Sequence, residues 1–172
     1  MKKILTILLL SIFAISVIDA SNIVTKQKKP AAISEFEQTI GPIRIVFQTV
    51  NCEEVKIKRE RQSDMTNTNP FHIPEKVTGP DGNQYTIVGI CDRARLSGNF
   101  SHCSIPRTVT YIGDNAFEFC DRLSSVYIWG DPEISTKAFF GCIKLKEIRC
   151  GSKKNKGKTF EVNKGKGKVT AY

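Results

Sequence analysis

Side chains that carry catalysis and metal binding are few in this chain: 172 residues include two histidines, His72 and His102, and a single tryptophan. No Cys-x-x-Cys or His-x-x-x-His spacing accompanies the histidines, so a zinc site is not expected. No Gly-rich loop follows a strand in the way a phosphate cradle requires; the glycines of 151–167 are interspersed with lysines. Asp81-Gly82-Asn83 has too few ligands for a calcium loop and reads as a turn. An exported enzyme using His102 and Cys103 would need an exposed, activated thiol, yet Cys103 points the other way along its strand from His102. The expectation is a protein that is not an enzyme and uses no cofactor or metal.

Long apolar runs are equally scarce. The one present, Ile4 to Ile18, follows Lys2 and Lys3 and ends in Ile18-Asp19-Ala20, the charged, apolar, small-residue layout of a secretory signal cleaved after Ala20. A retained anchor is the alternative, disfavoured because the run falls short of the roughly 20 residues a span needs. No cysteine follows the cleavage site to take a lipid, and no second apolar run follows. The sequence therefore predicts a secreted or surface-associated protein with no stable membrane insertion after cleavage.

Charge of one sign is abundant but localised. Of the net +9, residues 151–172 carry +6, from Lys153, Lys154, Lys156, Lys158, Lys164, Lys166 and Lys168 against Glu161, while residues 21–150 carry +2. A basic nucleic-acid-binding domain does not fit that distribution. The Lys-rich segment reads as a solvated tail or cap. The functional alternative is attachment to a sulfated glycan or other acidic polymer.

The middle of the chain is organised by a 22-residue period. Ile90-x-x-x-Ala94, Ile112-x-x-x-Ala116-Phe117 and Ile134-x-x-x-Ala138-Phe139 superpose, as do Cys120 and Cys142. Each is followed by a second element: Phe100-x-x-Cys103-x-Ile105, Leu123-x-x-Val126-x-Ile128 and Leu145-x-x-Ile148-x-Cys150. Upstream, Ile73-Pro74-Glu75-Lys76-Val77-Thr78 recurs as Ile105-Pro106-Arg107-Thr108-Val109-Thr110, with residues 79–88 reading as a small inserted hairpin around Pro80-Asp81-Gly82-Asn83. One such unit cannot bury its apolar face alone, so stacking must provide the core. Period-2 alternation in Leu-x-x-Val-x-Ile turns Val126 and Ile128 inward and Ser125, Tyr127 and Trp129 outward. The expected fold is a β-rich solenoid: a short, leucine-rich-repeat-like, right-handed stack of coils with a parallel sheet.

The segment Ile105 to Ile128, Ile-Pro-x-x-Val-Thr-x-Ile-Gly-Asp-x-Ala-Phe-x-x-Cys-x-x-Leu-x-x-Val-x-Ile, resembles the BspA-like leucine-rich repeat family. The resemblance covers residues 71–150, with Arg95 and Gly98 departing from the pattern in the first coil. Isoleucine, valine and phenylalanine do most of the filling, since only Leu96, Leu123 and Leu145 occur after residue 20. The resemblance implies an exported or surface protein that binds other macromolecules, commonly host or matrix components in adhesion, and implies no catalytic residues.

Flanking segments read as follows. Residues 21–34 form a leader. Ile43 to Phe47 and Val55 to Lys58 flank Asn51-Cys52-Glu53-Glu54 as a β-hairpin capping the first coil, and 62–69 is polar loop. Phe160–Val162 and Val169–Tyr172 are short edge strands. The repeat register makes Cys103, Cys120, Cys142 and Cys150 buried free thiols, because stacked equivalents have parallel Cβ vectors. Cys52 and Cys91 are the pair left to consider as bridged. Asn99-Phe100-Ser101 is a glycosylation sequon, usable in a eukaryotic source.

The candidate partner-binding surface is the outward strand face: His102, Ser104, Ser125, Tyr127, Trp129, Glu147 and Arg149, with His72 beside them on the adjacent coil. Exposed tryptophan, tyrosine and arginine are the types that dominate binding hot spots. Trp129 either stands free there or folds under the terminal segment as a plug.

Overall fold

The computed structural model describes residues 34–63, 70–151, 153–163 and 167–172. The signal at 1–20, the leader at 21–33 and residues 64–69 lie outside the described residues. Thirteen strands follow in chain order: β1 (Glu35–Ile40), β2 (Ile43–Thr49), β3 (Glu54–Ser63), β4 (Phe71–His72), β5 (Lys76–Thr78), β6 (Gln84–Ile90), β7 (His102–Ile105), β8 (Tyr111–Ile112), β9 (Ser125–Ile128), β10 (Glu133–Ile134), β11 (Glu147–Cys150), β12 (Thr159–Asn163) and β13 (Gly167–Thr170). No helix occurs among the described residues.

Each coil supplies one strand to a four-stranded parallel sheet, ordered β11-β9-β7-β4, and a second strand to another sheet, where β6, β8 and β10 run parallel. The fold is a β-rich leucine-rich-repeat solenoid. Its register follows the sequence period: Phe71, Cys103, Val126 and Ile148 align across the first sheet, and Ile90, Ile112 and Ile134 across the second. Between these sheets the turns are themselves hydrogen-bonded from coil to coil, through Leu96 N to Ala116 O at 2.9 Å and Phe117 N to Ala138 O at 2.9 Å. Backbone polar groups are thereby satisfied on all sides of the core. Inside, the alanines Ala94, Ala116 and Ala138 let the chain pass close, while Phe117, Phe139 and Phe160 form a buried aromatic ladder.

The first coil continues into β3, β2 and β1. β3 pairs with β6 in parallel, and β1, β2 and β3 form an antiparallel meander. β1 adds a strand that the sequence reading left out, and the reading's polar loop begins two residues early, since Gln62 and Ser63 belong to β3. The inserted hairpin is β5 against β6, its turn closed by Gly79 N to Asn83 O at 2.8 Å with Gly82 at φ 80°.

At the other end, the described part of residues 151–172 forms a cap and not a solvated tail. β12 and β13 pair antiparallel, and Phe160, Val162, Val169 and Ala171 enter the core. Gly141 N bonds to Val162 O at 3.1 Å and Glu161 N to Thr136 O at 2.9 Å, so β12 takes the next place in the stack after β10. Asn155 is fully buried, its Nδ2 donating to the Pro132 carbonyl at 2.8 Å.

All six cysteines are free thiols, and Cys52 and Cys91 are not bridged. Cys91 follows Ile90, which pairs with Ile57, whereas Cys52 lies in the turn before β3 begins at Glu54. Glu54 to Ile57 alone spans about 10 Å of strand, beyond the roughly 7 Å Cα limit for a disulfide. Cys103, Cys120, Cys142 and Cys150 are buried. Cys120 Sγ donates to Leu96 O at 2.8 Å and Cys142 Sγ to Phe117 O at 2.9 Å, each reaching back to the previous coil. Burial pushes the Cys103 thiol far up, and the neighbouring Cys142 thiol together with burial does the same to Cys120. Thiolate is the reactive form. A thiol-labelling time course on native protein should therefore modify Cys52 fast and Cys103, Cys120 and Cys142 only under denaturant. Rapid native labelling of Cys103, located by peptide mapping, would contradict its inward placement.

Candidate functional site: the outer face of the four-stranded sheet

The outward positions of the parallel sheet form two rows. In one, β-register aligns His72, Ser104, Tyr127 and Arg149; in the other it aligns His102, Ser125 and Glu147. His72 and His102 therefore belong to different rows and do not meet. Each shares a hydrogen bond with the serine beside it instead, His72 Nδ1 with Ser104 Oγ at 2.7 Å and His102 Nδ1 with Ser125 Oγ at 2.6 Å. Among the described residues no group of three potential metal ligands comes together.

Ser125 is a correction. Its position is outward by alternation, but it is buried, only 5% exposed, with His102 and Glu147 on the strands either side. A short side chain between two longer ones contributes no surface to a partner.

The other row presents what the sequence sought. The Arg149 guanidinium lies 5.1 Å from the centre of the Tyr127 ring and 5.9 Å from that of Tyr172. Its Nε donates to Tyr172 Oη at 3.1 Å and pairs with the Glu147 carboxylate. Glu147 also drives the guanidinium pKa further up, so the charge is permanent. Tyr172 reaches this place because Ala171 bridges to Ile148 in parallel and Tyr172 N bonds to Ile148 O at 3.1 Å. Sequence reading missed Tyr172; the Val169-x-Ala171 alternation, which points it outward beside Arg149, was the available signal. An arginine held between two aromatic rings is pre-organised, losing little side-chain freedom when a partner covers it.

Trp129 stands free and is not a plug: 60% of it is exposed. It follows β9, and its N bonds to Ile105 O at 3.0 Å, which places it beside Pro106 in the stack. A shallow cleft of about 280 Å³ opens there, lined by Ile73, Glu75, Ser104, Pro106, Arg107 and Trp129. Glu75 and Arg107 were passed over in the sequence although they occupy the same place in the repeated Ile-Pro-x unit.

The lysines lie at the covered end. Lys153, Lys154 and Lys156 are exposed around the 153–157 turn, Lys158 is half-buried, and Lys168 is on β13 opposite Glu161. Lys164 and Lys166 are outside the described residues. Two further apolar side chains are exposed in the turns after β8 and β10: Phe119, at φ 58° and edge-on to Phe140 with ring centres 6.2 Å apart, and Ile143.

Residues 87–163 match the family described as BspA type Leucine rich repeat region (6 copies). This segment is similar to the BspA-type leucine-rich repeat. The matched segment starts at Ile87 in β6 and ends at Asn163, so it takes in β12 of the terminal cover as well as the coils at Ile90, Ile112 and Ile134. Three solved structures resemble the fold. A leucine-rich repeat protein of Bacteroides capillosus is 22% identical with a TM-score of 0.54, over 79% of this chain and 98% of its own. A leucine rich cell surface protein of Faecalibacterium prausnitzii is 25% identical with a TM-score of 0.50, over 67% of this chain and 33% of its own. A leucine-rich repeat protein of Bacteroides ovatus is 25% identical with a TM-score of 0.51, over 67% of this chain and 31% of its own. This chain thus spans about a third of the length of the latter two proteins. No curated protein sequence matches it.

Proposed function

We propose that the protein is an exported, non-enzymatic binding module whose outer strand face holds a host or matrix protein in an adhesion-type contact. The observation that carries this reading is the Tyr127–Arg149–Tyr172 cluster with Glu147, an exposed arginine already fixed between aromatic rings on the parallel sheet. The cell-surface description of the Faecalibacterium relative and the secretory layout of residues 1–20 support the location. No helix among the described residues is long and apolar enough to cross a membrane.

Binding to immobilised extracellular-matrix proteins, at low and high salt, tests the proposal. Replacing Arg149 by Ala should weaken the interaction by about 2 kcal/mol or more, the scale of a hot-spot residue, with thermal stability little changed. The variant in which Lys153, Lys154, Lys156 and Lys158 become Gln should bind as before. Salt-sensitive binding lost only in the lysine variant, and matched on a sulfated glycan, would instead assign the function to the 153–158 turn.

A further inference from the structure

We infer that the cleft beside Trp129 is a subsite for a single uncharged hexopyranose ring, the terminal unit of a glycan. The inference stands apart from the Arg149 cluster, because the cleft lies past the end of the strands and uses different side chains.

The stack itself builds the cleft. Continuing the β4–β7–β9 register beyond the strands puts Pro74, Pro106 and Trp129 in one row and Glu75, Arg107 and Gly130 in the next. Gly130 lies on the Arg107 backbone so closely that a Cβ would fall 2.8 Å from the Arg107 carbonyl oxygen. The row of Glu75 and Arg107 therefore continues into a position with no side chain, next to the tryptophan. The cleft is lined by the apolar Ile73 and Pro106, the Glu75 carboxylate, the Arg107 guanidinium, the Ser104 hydroxyl and the Trp129 indole.

Those groups match a pyranose. The ring has a patch of C–H groups on one face, which lies on an aromatic plane, and a belt of hydroxyls at its edge, each both donor and acceptor. An acceptor-only carboxylate and a donor-only guanidinium on adjacent coils can take neighbouring hydroxyls in the two opposite senses. Neither the Glu75 nor the Arg107 side chain has a hydrogen-bond or ion-pair partner among the described residues, so both are available. One charge of each sign leaves the site neutral, which disfavours a sulfated or uronic unit. The cleft is shallow and open, and about 280 Å³ is near the lower end of ligand-site volumes, roughly 300–1,000 Å³, as one ring laid flat requires.

Trp129 is the sole tryptophan, so indole fluorescence and the indole N–H resonance report on this cleft alone. The full protein is titrated with the methyl pyranosides of glucose, galactose, mannose and N-acetylglucosamine, at low and high salt. At least one should give a saturable change in both signals, unaffected by salt and weakened about tenfold by Glu75→Gln and by Arg107→Gln, with melting temperature unchanged. Glu75→Gln should leave binding at the Arg149 cluster as it was, so failure here and failure of the matrix-binding reading are separate results. No saturable response, a response indifferent to both substitutions, or one confined to glucuronate with loss at high salt would each overturn the inference.

Discussion

Replacing Phe139 by Ala is expected to lower the free energy of unfolding by about 3–5 kcal/mol. Phe139 is fully buried in the middle of the aromatic ladder, its ring stacked 5.3 Å from Phe117 and edge-on 5.7 Å from Phe160. The substitution removes the ring's own burial and two ring–ring contacts, each worth about 0.5–1.5 kcal/mol beyond area. It also opens a cavity that the stacked backbone on either side resists closing, because those coils are hydrogen-bonded to one another. Phe117→Ala should fall in the same range but cost less, since one aromatic partner is lost instead of two. Denaturant unfolding monitored by circular dichroism gives the numbers. Losses under about 1 kcal/mol at both positions, the range of ordinary surface changes, would mean that neither ring lies in the core.

A chain ending at Cys150 is expected to lose cooperative unfolding altogether. The missing segment buries Phe160, Val162, Val169 and Ala171, and its removal would leave Phe139, Cys142 and Ile148 uncovered at the end of the stack. The three larger side chains contribute about 1.5–3 kcal/mol each on burial, a sum comparable with the whole stability of a domain this size, about 5–15 kcal/mol. The truncated chain should show no sigmoidal melt, bind a hydrophobic dye and associate. A detachable lysine tail would give the opposite result, an unchanged melting curve. Binding experiments on the lysines therefore need charge-removing substitutions and not truncation.

The solenoid was legible because its signal is repeated. Val126, Ile128 and their equivalents recur with both the strand alternation and a step of 22 or 23 residues, so an error in one copy is corrected by the next. What was not repeated was harder to read. β1 has Phe36 on its buried side but Gln38 after it, and it follows a Lys-rich leader, so nothing in its alternation stands out. Ser125 has the right parity for the surface, yet parity says nothing of the length of the side chains across the register, and His102 and Glu147 flank it. Tyr172 and Arg149 are 23 residues apart and meet through one isolated bridge at Ile148, a contact that exists only once the terminal hairpin has folded back. Glu75 and Arg107 are separated by the ten-residue insertion, which interrupts the period where it was needed to align them.

The cover at each end is a different structure from the coils between, an antiparallel meander on one side and a hairpin on the other. Neither cover needs a particular number of coils, only a last coil of the right shape. The protein is in this sense adjustable in length. A copy of the 23-residue unit Pro106 to Ile128 would meet the same register above and below it, and would move the two covers apart by one strand spacing, about 4.8 Å. Gene duplication could thus widen or narrow the outer face in equal steps while its ends stayed closed. The Trp129 cleft would not survive unchanged: the copied unit would bring its own equivalents of Pro106 and Arg107 beside the indole, while Ile73 and Glu75, on the coil before, would be moved one coil further away.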